Sequence, residues 1–147
     1  IKAKKTRFGI VYPETTIIVN EIAKRDKAKI IPMGNTAANR LGFSTQVPMN
    51  SEYLTSGSSR VLKLGKRKVT LRHGAPRNFA YKGKVFPELV QALRSIGKQN
   101  ISIQEDNRIF QILKENPEEE TIKYDLLLAP VWIRQLIEKH IINSSNE

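Results

Sequence analysis

Two rhythms of apolar and polar positions run along this chain, one helical and one alternating. Behind Pro13, which stands where a first helical residue is favoured, Ile17, Ile18, Ile22 and Ala23 recur at helical spacing as far as about Lys27. Residues 28–31 form a short strand candidate closed by Pro32. Residues 35–41 predict a short helix, with Gly42 just past its end, where left-handed backbone is common. Residues 44–47 are a candidate for extended chain, because Pro48 disfavours helix before it. Residues 52–55 predict a strand and residues 56–59 a turn. The alternation is clearest next. Arg60–Leu64 and Arg67–His73 flank Gly65-Lys66, and glycine at the first central position suits a two-residue type II′ hairpin. That register pairs Leu64 with Arg67, Lys63 with Lys68, Leu62 with Val69, Val61 with Thr70 and Arg60 with Leu71.

The remaining pattern is mostly helical. Pro87 opens a helix with Leu89, Val90, Leu93 and Ile96 on one face, and Gly97 closes it. Ser102 with Glu105 three residues on is a capping-box signature, and the apolar positions that follow predict a helix stopping before Pro117. Glu118, Glu119 and Glu120 read as a solvated acidic loop, and residues 124–128 as a strand. Pro130 starts a last helix with Trp132, Ile133, Leu136, Ile137, His140 and Ile141 along one stripe, and residues 143–147 read as a frayed polar tail. The sum is an α+β fold: a single domain at residues 13–142, with a small, mostly antiparallel sheet packed by several helices. A length of 147 residues suits one such domain and would cramp two.

Composition narrows the function classes. Cysteine is absent, which excludes disulfides and thiolate metal sites. The longest apolar runs, such as Leu126-Leu127-Leu128-Ala129, are far too short to span a bilayer, and the N-terminus carries no apolar signal core. These features predict a cytoplasmic protein without a membrane partner. The first residue is Ile, and Lys2-Ala3-Lys4-Lys5-Thr6-Arg7 reads as a basic linker or loop within residues 1–12.

Charge changes the picture most. The formal net charge is +11, and it is unevenly placed: residues 1–84 hold 18 Lys and Arg against 4 Asp and Glu, whereas residues 85–147 hold 7 against 10. Such asymmetry points to a polyanionic partner for the first half. In the hairpin register, Leu62, Leu64, Val69 and Leu71 share one face, and Lys63, Lys68 and Arg72 share the other with Val61 and Thr70. Lys63 opposite Lys68 is a like-charge pair that an anion would bridge. These three are the candidate nucleic-acid contacts, with Arg60, Lys66, Arg67, Arg77 and Lys82 as further cations near in sequence. Lysines guarding an edge strand against aggregation are the alternative reading.

Nothing in the pattern has the spacing of a catalytic site. His73 and His140 lack ligand-spaced companions; His140 falls on an apolar stripe, and His73 ends a strand where it adds to the basic face. Gly57-Ser58 evokes the glycine-serine loop of nucleotidyltransferases, but no acidic pair follows to hold metal. No catalytic residue, metal site or cofactor is therefore expected, and a binding module rather than an enzyme is the first reading. A metal-dependent nuclease, and a protein-interaction module whose basic face meets an acidic protein, are the alternatives.

The stretch Lys29-Ile30-Ile31-Pro32-Met33-Gly34-Asn35-Thr36-Ala37-Ala38-Asn39-Arg40-Leu41-Gly42-Phe43-Ser44-Thr45-Gln46-Val47-Pro48-Met49-Asn50 resembles AbiEi-like proteins, the antitoxin and transcription-regulator partners in bacterial type IV toxin–antitoxin systems. Tyr53-Leu54-Thr55-Ser56-Gly57 before the hairpin, and Leu126-Leu127-Leu128-Ala129-Pro130-Val131-Trp132-Ile133-Arg134 near the end, extend the resemblance from about Arg7 to about Ile141. It implies a C-terminal antitoxin domain, with residues 1–12 as the junction after a winged-helix DNA-binding domain absent from this sequence. It implies two jobs: promoter binding with that winged helix, and neutralisation of a nucleotidyltransferase-like toxin without a stable complex. Within the main motif, Gly34, Asn39, Gly42, Ser44, Thr45 and Gln46 serve as scaffold or as partner contacts. On the scaffold reading, Gly34 and Gly42 bracket a short helix, Asn39 bonds nearby backbone, and Thr45 and Gln46 sit in a strand beside it.

Overall fold

A computed structural model describes the backbone of residues 4–6, 9–11, 13–46 and 49–145, and the side chains of residues 15–46 and 49–141. The order is β1 (Lys4–Thr6), β2 (Gly9–Val11), α1 (Pro13–Asp26), β3 (Ile30–Pro32), α2 (Gly34–Arg40), β4 (Asn50–Thr55), β5 (Arg60–Leu64), β6 (Arg67–His73), α3 (Phe86–Ile96), α4 (Ile103–Glu115), α5 (Ile122–Leu128) and α6 (Val131–Ser145). Short 3-10 turns at Pro76–Phe79 and Lys98–Asn100 flank α3. The fold is α+β, built on a four-stranded mixed sheet in the order β3-β4-β6-β5. Its outer pairings, β3 with β4 and β5 with β6, are antiparallel, and the central pairing of β4 with β6 is parallel.

Alternation along the strands gives the sheet two different faces. On one, Tyr53, Val69 and Leu71 are buried with Leu62 and Leu64 beneath α1, which contributes Val19 and Ile22. The buried stripe of α1 runs through Thr15 and Val19; Ile17, expected on that stripe, is exposed. On the other face Ile31 and Leu54 are covered by Phe79. Two alanines of α2, Ala37 and Ala38, meet Ala92 of α3, and these small side chains let the helices approach closely. Beyond them α3, α4, α5 and α6 enclose the largest core, around Leu89, Leu93, Ile109, Ile112, Ile133 and Ile137.

Several local expectations are met with a physical cause in view. Gly97 ends α3 at φ 91°, and Ser102 and Glu105 form the capping box of α4. Four are corrected. Residues 124–128 belong to helix α5 rather than to a strand: Asp125, Leu126 and Ala129 are buried while Leu127 is 65% exposed, a helical spacing that strand alternation cannot produce. Residues 4–6 and 9–11 pair as an antiparallel ribbon instead of forming a loop. Residues 143–145, expected to fray, continue α6, and residues 146–147 lie outside the described residues. Residues 44–46 carry no strand, and Val47, at the end of that candidate, also lies outside them. Among the described residues no helix is long and apolar enough to cross a membrane.

His140 is a buried member of the α6 stripe, and its Nε2 lies 2.7 Å from Asp106 Oδ1 of α4. Lys139 Nζ donates to Asp106 Oδ2 at 3.3 Å. Burial pushes the Asp106 carboxyl up, but the bonds and charges of His140 and Lys139 outweigh it and hold the group below its ordinary value. A carboxyl depressed in the folded state adds stability above its unfolded pKa, near 3.9, and that stability is lost as pH falls through the lower folded value. Asp106→Asn is therefore expected to lose less melting temperature than the parent between pH 5 and pH 3, followed by circular dichroism.

Candidate nucleic-acid interface

The hairpin forms in the expected register, with Lys63 directly opposite Lys68 and Arg60 opposite Leu71. Gly65 takes φ 64° while Lys66 is not among the residues of positive φ, the combination a type II′ turn requires. β5 is an edge strand, so its outer side is open to a partner. Lys63, Lys68 and Arg72 are all exposed on the face opposite the α1 core. Among the described residues neither Lys63 nor Lys68 has an ion-pair partner. Opposed like charges on neighbouring strands cost roughly 0.2–1 kcal/mol, a cost that a bound anion reverses.

Among the described strand residues one carboxylate shares this face. Glu52 stands on β4 opposite Thr70, and Arg72 Nε lies 3.7 Å from Glu52 Oε2. Arg72 is thus partly neutralised at rest, while the lysine pair is not.

The further cations divide differently from their order in the sequence. Arg60 and Arg67 pair with Leu71 and Leu64, which places them on the α1 side of the sheet, and Arg60 Nη2 lies 3.6 Å from Asp26 Oδ2 of α1. Both leave the lysine face. His73 leaves it as well, its Nδ1 being 2.8 Å from the Gly57 carbonyl oxygen. Lys66 stays exposed at the hairpin turn. Arg77 and Lys82 turn to the helical layer: Arg77 Nε donates to the Leu128 carbonyl at 3.1 Å, and the Lys82 ammonium sits 4.2 Å from the centre of the Tyr124 ring.

The central motif folds into a short braced turn. Gly34 and Gly42 adopt φ 57° and 82°, at the start of α2 and just beyond its end. Asn39 Nδ2 donates to the carbonyls of Ser44 and Gln46, at 3.2 and 2.8 Å, and the Gln46 amide donates to Ser44 Oγ. Arg108 of α4 donates to the Leu41 carbonyl at 2.7 Å and lies where a side chain on Gly42 would go. Thr45 is exposed. The contacts of Asn39 and of the two glycines are those of a scaffold.

Compared with known protein families, residues 2–121 match one described as a family of unknown function, DUF6088. The chain belongs to DUF6088. Searches of curated proteins and of solved structures return no significant match.

The span shared with DUF6088 contains the whole sheet, the hairpin and α1 to α4, together with one glutamate of the expected acidic loop that is only partly solvated. Glu118 accepts from three successive amides, Lys84 and Val85 on Oε2 and Phe86 on Oε1, at 2.6, 3.2 and 3.1 Å. It thereby caps the N-terminus of α3, where the helix dipole favours a carboxylate. Just past the matched span, Asp125 is fully buried and accepts from the Lys82 and Gly83 amides at 2.8 Å each. Five consecutive N–H groups are thus held by two carboxylates from the acidic half. A Cβ at Gly83 would come within 2.5 Å of Glu118 Oε1 and 2.9 Å of Asp125 Oδ2, so a larger residue there displaces a carboxylate of the clamp. Arg134 closes the other end of α5 by donating to the Leu126, Leu127 and Ala129 carbonyls. The one sequence signal for this clamp is an aspartate set directly before the apolar run 126–129. Among the described residues no three His, Asp or Glu side chains are grouped to share a metal ion.

Proposed function

We propose that this chain is a non-catalytic antitoxin and transcriptional-regulator domain of AbiEi-like type, working in the bacterial cytoplasm. It contacts nucleic acid through the outer face of the β5–β6 hairpin and neutralises a nucleotidyltransferase-like toxin. The observation that carries the nucleic-acid part is the opposed pair Lys63, on the edge strand β5, and Lys68, on its neighbour β6, with no carboxylate paired to either among the described residues. The toxin part rests on the sequence resemblance in residues 29–50 and 126–134. A flat pair of lysines reads phosphate and not bases, so the domain supplies affinity and registration rather than sequence choice.

The discriminating experiment is a competition assay. Labelled duplex DNA or RNA is bound at low salt and challenged with polyglutamate or with unlabelled nucleic acid. The proposal expects unlabelled nucleic acid to compete at far lower charge concentration than polyglutamate. Equal competition would instead favour an acidic-protein partner. Glu52 offers a second check. Removing the charge beside Arg72, an exposed pair worth about 0.2–1 kcal/mol, frees the guanidinium for phosphate. Glu52→Gln is therefore expected to tighten binding roughly 1.4- to five-fold, measured by fluorescence anisotropy.

A further inference from the structure

Away from the hairpin, a cleft of about 510 Å³ runs along the edge strand β3, between that strand and the segment leading into α3. This volume is within the roughly 300–1,000 Å³ of small-molecule sites. Three cations line the cleft, Lys29, Arg40 and Lys84, against one carboxylate, Glu88, which Arg40 already pairs. Lys29 Nζ donates to the carbonyl of Phe79, another residue of the lining, at 3.5 Å. Beside these charges the lining includes the apolar and aromatic residues Pro32, Phe79 and Tyr81. The Tyr81 ring is fixed by packing on Phe86, with ring centres 5.6 Å apart. A tyrosine phenol is a neutral hydrogen-bond donor at pH 7, and burial raises that of Tyr81 further above its usual value. As the outer strand, β3 also turns one row of backbone polar groups away from β4.

A surplus of positive charge next to an aromatic ring suits a ligand with an anionic end and a planar body. We propose that this cleft binds a nucleoside monophosphate unit, its phosphate on Lys29, Lys84 and Arg40 and its base against Tyr81. The site shares no residue with the hairpin and stands independently of the function proposed above. Both a free nucleotide and the phosphorylated end of a strand carry this chemistry.

Isothermal titration of the 147-residue chain with AMP, adenosine and a 5′-phosphorylated trinucleotide tests the assignment. AMP is expected to bind at least tenfold more tightly than adenosine. Lys29→Ala with Lys84→Ala, both exposed and so compatible with folding, is expected to weaken it about tenfold, while Lys98→Ala, an exposed lysine outside the cleft lining, leaves it unchanged. Binding of the trinucleotide but not of AMP, lost in the Lys29/Lys84 variant, would support the site and assign it to strand ends. The site is overturned if neither probe binds at millimolar concentration, or if the binding that remains after Lys63→Ala with Lys68→Ala survives the loss of Lys29 and Lys84.

Discussion

Asp125→Ala is expected to destabilise the protein by about 3–5 kcal/mol. The carboxylate is fully buried and satisfies two amides at 2.8 Å. Its removal deletes two charge-assisted bonds, each stronger than a neutral one. It also leaves the Lys82 and Gly83 amides without their acceptor, at about 1–3 kcal/mol for each buried donor. Asp125→Asn is no rescue, because the new NH₂ faces a donor. Glu118→Ala removes a partly exposed helix cap that water replaces in part, and about 1–2 kcal/mol is expected there. For a domain of this size the larger loss corresponds to a melting temperature lower by roughly 6–20 °C. Thermal unfolding by circular dichroism measures both variants. A drop for Asp125→Ala smaller than that for Glu118→Ala would show that the buried clamp does not hold the segment before α3.

Reversal of the opposed lysines is the second large effect. Lys63→Glu with Lys68→Glu keeps the like-charge repulsion across the hairpin, so the sheet gains or loses little. It changes the local charge by four units on the face assigned to phosphate. Binding to duplex DNA at about 50 mM salt is expected to weaken roughly 100-fold, because each lost phosphate contact removes the counterion release that drives association at low salt. The same reversal at Arg60 and Arg67 acts on the opposite face. It is expected to lower stability more than affinity, since Arg60 pairs with Asp26 of α1. Anisotropy titrations read alongside melting curves separate the two faces. An equal loss of affinity from both variants would mean that net charge, and not the hairpin face, governs binding.

The parts of this architecture legible in the sequence are those governed by local spacing. Gly65 and the alternation on either side of it set the hairpin register residue by residue. Ser102 and Glu105 announced the start of α4 in the same way. The parity of that hairpin also held the answer for Arg60 and Arg67, whose partners Leu71 and Leu64 face the core; grouping them with the lysines by nearness in sequence put them on the wrong side. Long-range polar contacts left no such trace. Nothing near Asp125 points to amides more than forty residues earlier, and the apolar run 126–129 fits a strand or a helix until its burial is known. The parallel pairing of β4 with β6 was equally hidden, since β5 lies between them in the chain and outside them in the sheet. Glu52 escaped notice because the charge count of the first half makes a lone carboxylate look negligible, whereas its place beside Arg72 makes it offset part of the positive charge of this face.

The most direct measurement is the salt dependence of DNA binding for the parent chain and for Lys63→Ala with Lys68→Ala. If the two ammonium groups each contact one phosphate, the slope of log K against log salt becomes shallower by about 1.8 in the double variant, at roughly 0.9 per phosphate. Identical slopes would place the phosphate contacts elsewhere on the molecule and contradict the assignment of this face.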